Sequence, residues 1–198
     1  MELISNCLVD CFIKENIISA EQKETYKIGI ELIIADIINF SAILLIGVLI
    51  KRIQCSGIYI FLLMYVRRFC GGFHAKTYWV CRMVTIGTYI TILFVSNIIL
   101  RNTVFYVILF DAISILTMVL FAPIAHPNKR LTYTEKRANK FFSIVSTSIF
   151  STISIFMYVF GLKEGIFTST TLLSIAILMY VGLLKNIVTE RRENRCVG

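Results

Sequence analysis

With 198 residues, 57% of them hydrophobic and only 16% charged, and a mean hydropathy of +0.79, the chain is too apolar for a soluble domain and for a disordered one. Its formal net charge of +8 then belongs to the surfaces of a membrane protein, and no nucleic-acid partner is expected. No internal repeat, low-complexity segment or dividing linker interrupts it, so residues 1–198 read as a single integral membrane domain.

The N-terminal arm, residues 1–26, comes first. Leu3, Ile4, Cys7, Leu8, Cys11 and Phe12 recur at three- and four-residue spacing, with Glu2, Asn6, Asp10 and Lys14 elsewhere. That pattern predicts an amphipathic helix, too short and polar to span, lying along the interface or packed on a partner subunit. Cys7 and Cys11 read as small hydrophobic residues of its buried face. Met1-Glu2-Leu3-Ile4 lacks the cationic start of a signal peptide. Ser19-Ala20-Glu21-Gln22 has the capping-box form, with Ser19 as N-cap of a helix running into the first span.

Six apolar stretches follow, at about 27–50, 54–66, 83–100, 103–122, 141–160 and 166–184, against the ~20 residues a spanning helix needs. The second is short and is expected to continue helically into Arg67-Arg68, whose side chains reach the interface. The expected fold is all-α, a polytopic protein of six transmembrane helices plus the interfacial arm. Of the 20 lysines and arginines, only Lys51, Arg52, Arg101 and Lys163 fall on one side of such a bundle. The rest, including Lys129, Arg130, Lys136, Arg137 and Lys140 after the fourth span, fall on the other. The excess of cations places both termini in the cytoplasm, where disulfides between the six cysteines are not expected.

Glu31, Asp36 and Asp111 lie within spans, where a charge near the centre costs at least ~2.5 kcal/mol, so each should face the bundle interior or a partner. For Glu31 the expected companion is a cation or an Asn or Ser neighbour such as Asn39, although its place near the cytoplasmic edge also allows it to orient a histidine. His126, beside Pro127, reads as a turn residue.

The chemistry concentrates in residues 67–82, Arg67-Arg68-Phe69-Cys70-Gly71-Gly72-Phe73-His74-Ala75-Lys76-Thr77-Tyr78-Trp79-Val80-Cys81-Arg82, on the cytoplasmic side. Seven residues separate His74 from Cys81, about two helical turns, so the imidazole and thiol share a face and suit a nucleophile and its base. Gly71-Gly72 would interrupt the incoming helix and permit positive φ, and Arg68, Lys76 and Arg82 surround the pair with positive charge. Taken alone, the pair also fits an interfacial histidine and a core cysteine. A metal site from Cys70, His74 and Cys81 lacks a fourth ligand. A transporter or channel subunit, with His74 and the acids forming an ion path, is the alternative function.

The block Arg68-Phe69-Cys70-Gly71-Gly72-Phe73-His74-Ala75-Lys76 followed by Cys81 resembles the accessory gene regulator B (AgrB) family, as do the length, the span count, the basic loops and Ala122-Pro123-Ile124 before Asn128-Lys129-Arg130. The resemblance implies a bacterial cell-membrane thiol protease of quorum sensing. Cys81 would be its nucleophile and His74 its base, with Arg67, Arg68, Gly71, Gly72 and Lys76 supporting. It implies an AgrD-like prepeptide substrate with an acidic C-terminal tail, cleaved through a Cys81 thioester and cyclised to a thiolactone or lactone autoinducing peptide. Lys129 and Arg130 are expected to hold the tail. Metal and cofactor are expected to be absent, the basic loops to touch anionic lipid, and the protein to form a homodimer.

Overall fold

The computed structural model describes residues 2–15, 18–19, 22–71, 78–99, 104–124 and 132–196. Those residues form seven α-helices: α1 (Glu2–Lys14), α2 (Lys23–Leu49), α3 (Ile53–Cys70), α4 (Tyr78–Ile99), α5 (Val104–Phe121), α6 (Tyr133–Val159) and α7 (Glu164–Cys196). Among the described residues, five helices are long and apolar enough to cross a membrane: α2, and the cores of α4, α5, α6 and α7. The sixth expected span, α3, is not among them, because only 53–66 precede its Arg67-Arg68 pair. It does continue through both arginines to Cys70, as expected.

The amphipathicity of these helices is inverted. The buried residues of α6 are Ser143, Ser146, Thr147, Ser151 and Ser154, whereas Phe141, Ile149, Ile153 and Phe156 are exposed. On α2 the buried positions recur every fourth residue (Glu31, Ala35, Asn39, Ile43 and Gly47) and Ile33, Leu45 and Leu49 face outward. In water this arrangement would be unstable; in a bilayer, lipid solvates the large side chains and small or polar residues let backbones approach. The chain is therefore a multi-pass membrane protein.

The helices α2–α7 alternate in direction. Ser56 and Arg67 of α3 lie by Ile43 and Asp36 of α2, so these two run antiparallel. Ser56 meets Tyr89, and Tyr59 meets Thr85, so α4 is antiparallel to α3. Met118 of α5 meets Ser143 of α6, and Ser154 of α6 meets Gly165 of α7, reversing the chain twice more. The most enclosed span is α7, and α3 packs against it. Leu62, Val66 and Cys70 pack with Met118, Leu172 and Met179, while Cys55, Tyr59 and Leu63 pack with Ile43, Tyr89 and Phe167. Gly47 leaves the room that Ser56 occupies at the start of α3.

Two expectations at the N-terminus are overturned. Helix α1 packs on α2 through Ser5 and Val9, and Cys7, Leu8 and Cys11 are exposed. The buried Glu31 carboxylate decides the rotation, because it needs a donor and Ser5 Oγ supplies one at 3.0 Å. An exposed Lys23–Asp10 pair at 2.8 Å joins the same two helices. Helix α2 starts at Lys23 with Gln22 as N-cap, and Ser19 instead gives its carbonyl to the Gln22 N–H, at 3.0 Å. A serine thus serves Glu31, but it is Ser5 of α1 rather than Asn39.

Where α7 enters, a Cβ at Gly165 would collide with the Ser154 carbonyl and the Tyr158 backbone, whereas one at Gly57 would meet open space. Gly165→Ala is therefore expected to destabilise the bundle by about 1–3 kcal/mol. Gly57→Ala should be neutral or slightly stabilising. Thermal unfolding of the detergent-solubilised variants checks both, and equal melting temperatures for the two would refute the close approach.

Candidate active site

The basic segment begins where α3 ends. Arg67 is half-buried and Arg68 exposed in its last turn, and the Gly71 N–H closes the helix on the Arg67 carbonyl at 3.1 Å. Gly71 then adopts φ 72° and ψ −161°, a conformation essentially reserved for glycine. One residue earlier, the Cys70 carbonyl accepts the Ile124 N–H at 3.0 Å. A Cβ on Gly71 would strike the Ile124 carbonyl oxygen. The end of α3 at Cys70 and Gly71 is thus clamped against the Ala122-Pro123-Ile124 stretch, which follows α5 with a cis Ala122–Pro123 bond.

Cys81 approaches from α4, in that helix's first turn, and is half-buried. Its rotational position is set by its neighbours. Arg82 donates from Nε to Asn39 Oδ1 of α2 at 3.2 Å, and its guanidinium lies over the Trp79 ring, 4.9 Å from the centroid. One turn on, Thr85 Oγ1 donates to the Cys81 carbonyl at 2.9 Å. Tyr59 of α3 donates to the Thr85 carbonyl at 2.8 Å and meets Thr88 Oγ1 at 2.7 Å. Tyr59 lies within electrostatic reach of both Cys81 and Arg67. Since α3 and α4 are antiparallel, the end of one and the start of the other share one end of the bundle.

Of the site residues expected from sequence, Arg67, Arg68, Gly71 and Cys81 are described; Gly72, His74, Lys76, Lys129 and Arg130 lie outside the described residues, as does His126. Asp36 is exposed on α2 rather than turned into the bundle, within electrostatic reach of Arg67 of α3. Among the described residues, no three His, Cys, Asp or Glu side chains converge as metal ligands. Sequence reasoning missed Tyr59, the contact of Ile124 with the end of α3, and the Asn39–Arg82 bond. Asn39 and Tyr59, polar groups inside apolar spans, were the available signals.

The fold and site define a multi-pass α-helical membrane protein with a cysteine at the start of one helix, beside a glycine-terminated basic helix end. The model of the accessory gene regulator B family matches residues 5–185, and the chain belongs to that family. It is 29% identical over 141 residues to a putative AgrB-like protein of Clostridium beijerinckii, covering 70% of this chain and 69% of that one. It is also 29% identical over 123 residues to protein FsrB of Enterococcus faecalis, covering 59% of this chain and half of FsrB. No solved structure matches significantly.

The clamp at Gly71 is testable. Gly71→Ala forces both a forbidden dihedral and a backbone collision, with an expected loss of roughly 1–3 kcal/mol. It should also change the rate at which Cys81 reacts with a maleimide in a variant lacking the other cysteines. An unaltered melting temperature together with an unaltered labelling rate would refute the clamp.

Proposed function

We propose that this chain is a cysteine endopeptidase that matures a quorum-sensing prepeptide. The observation that carries the reading is the Arg67…Gly71-Gly72-x-His74…Cys81 block inside the family match, with Cys81 held by Arg82, Thr85 and Tyr59 at the end where α3 stops. Such positioning suits a nucleophile that must meet a peptide carbonyl in one geometry.

In the proposed reaction His74 takes the Cys81 thiol proton, and the sulfur attacks the carbonyl that ends the future signal sequence. The C–N bond breaks as His74 returns the proton to the departing amine. The acidic tail leaves, and the N-terminal fragment stays on Cys81 as a thioester. A thiol or hydroxyl within that fragment then attacks the same carbonyl, closes the thiolactone or lactone and frees Cys81. Exchange of one thioester for another is nearly balanced, so closure to a thiolactone needs no nucleotide. Water is the competitor, which favours a site recessed from bulk solvent.

Six crossings with both termini cytoplasmic complete the reading. If α2 and α4 cross in the same direction, α3 must return between them, and its apolar packing against α7 supports that path. The abundant cations then share the cytoplasmic side with the site. Lys129 and Arg130 hold the acidic tail of an AgrD-like prepeptide, and the same loops touch anionic lipid headgroups. The exposed Cys7, Leu8 and Cys11 suit an α1 that lies on the membrane surface.

Cys81→Ser and His74→Ala should each abolish cleavage of the cognate prepeptide while leaving the protein inserted and abundant. Wild-type enzyme should give a hydroxylamine-labile adduct with the mass of the N-terminal fragment, and Cys81→Ala should give none. Cleavage by reconstituted Cys81→Ala would overturn the assignment, and linear acid without an adduct after rapid quench would favour direct hydrolysis.

Neutralising Lys129 and Arg130 to Gln should raise KM, more at low salt than at high, with a smaller effect on kcat. Exposed charges attract over a Debye length of only ~8 Å at physiological salt. An unchanged, salt-insensitive KM would restrict the loop to topology.

A further inference from the structure

Asp111 stands apart from this machinery. It is the eighth residue of α5, near the middle of a span, and only 2% exposed. Among the described residues neither of its carboxylate oxygens has a hydrogen-bond partner, nor does the hydroxyl of the buried Ser151. The groups acting on it from the packed helices are Ser151 and Ser154 of α6 and Ser169 of α7, without any charged neighbour. They stand beside the carboxylate without completing a hydrogen bond to it.

The donor count of these hydroxyls points to the missing partner. Ser154 Oγ already donates to the Gly165 carbonyl at 2.8 Å, and Ser169 Oγ to the Val107 carbonyl at 3.0 Å. A hydroxyl has one proton, so both present lone pairs to Asp111. With two carboxylate oxygens and the uncommitted Ser151, five oxygens converge, and four of them can only accept. An acceptor-rich cage of oxygens suits a hard cation. A single carboxylate balances a single positive charge, and an uncompensated charge at mid-membrane is costly, so the cation is monovalent.

We propose that Asp111, Ser151, Ser154 and Ser169 form an intramembrane sodium site at the α5–α6–α7 seam, at which protons compete for the carboxylate. The site is independent of the peptidase reading, since it involves neither Cys81 nor the segment around it. Its occupation would tie three helices together where Ser154 and Gly165 already bring two backbones close.

Thermal unfolding of the full chain in detergent, with NaCl exchanged for choline chloride or KCl at fixed ionic strength and no peptide present, tests this. At sodium tenfold above its dissociation constant the melting temperature should rise by roughly 3–6 °C. The rise should be smaller in KCl and should shrink on acidification. Asp111→Asn should abolish it. Ser151→Ala, which removes no other hydrogen bond, should weaken it and serves if Asp111→Asn fails to accumulate. Equal melting temperatures in the three salts overturn the proposal, as does a sodium effect equal to that of potassium or one retained undiminished in Ser151→Ala. Stabilisation by acid alone, without any sodium effect, assigns the carboxyl to a proton and likewise overturns the sodium site.

Discussion

A polar group inside a bilayer has no water to turn to, so buried hydroxyls, amides and carboxylates are satisfied from within the protein, with Asp111 and Ser151 as exceptions among the described residues. That constraint organises this bundle more than apolar packing does, because lipid tails solvate Leu and Ile as well as a protein interior would. The cross-helix bonds follow a pattern. Ser56 donates to the Ile43 carbonyl of α2, so the short contact with Tyr89 of α4 has the tyrosine as donor, and one serine joins three helices. Ser154 and Ser169 do the same work between α5, α6 and α7. Each such bond contributes only ~0.6 kcal/mol on average. Their value lies in register, since a helix rotated by one residue would turn its donor toward lipid.

The site inherits its rigidity from that register. Tyr59 fixes α4 one turn beyond Cys81, Asn39 fixes it at Arg82, and the two anchors come from different helices. With its rise and its rotation both pinned, the first turn of α4 has little freedom left. Gly71 performs the complementary task for the other arm. Its dihedrals turn the chain sharply out of α3 and let the backbone press against Ile124, which a side chain would prevent.

Much of this was legible in the sequence, for reasons that differ by element. The long apolar runs declared five of the six expected spans, because hydropathy over ~20 residues is a property of composition rather than of packing. The continuation of α3 through Arg67-Arg68 followed from snorkelling, and the break at Gly71 from backbone sterics, both of which are local rules. Rotation is a different matter. The stripe of Leu3, Ile4, Cys7, Leu8 and Cys11 marked an apolar face on α1, but an apolar face does not say whether protein or lipid covers it. One buried carboxylate, Glu31, needed a donor and turned Ser5 inward. Helix pairs such as Asn39 with Arg82, 43 residues apart, obey no sequence spacing at all.

The division of labour between the halves of the bundle gives the site its character. Helices α2 and α4 close on the first half of α3, around Tyr59 and Tyr89, with Phe167 of α7 among them, whereas α5 and the later part of α7 close on its second half, around Val66 and Cys70. Cys81 begins a helix of the first group and Ile124 belongs to the second, with α3 and α7 running through both. A peptide bound at such a junction would contact both groups at once. The wall behind it would be the buried end of α3, where Cys70 is fully enclosed. If the proposed acyl-enzyme forms, a half-buried Cys81 next to that buried helix end protects it from hydrolysis better than a loop standing in solvent would.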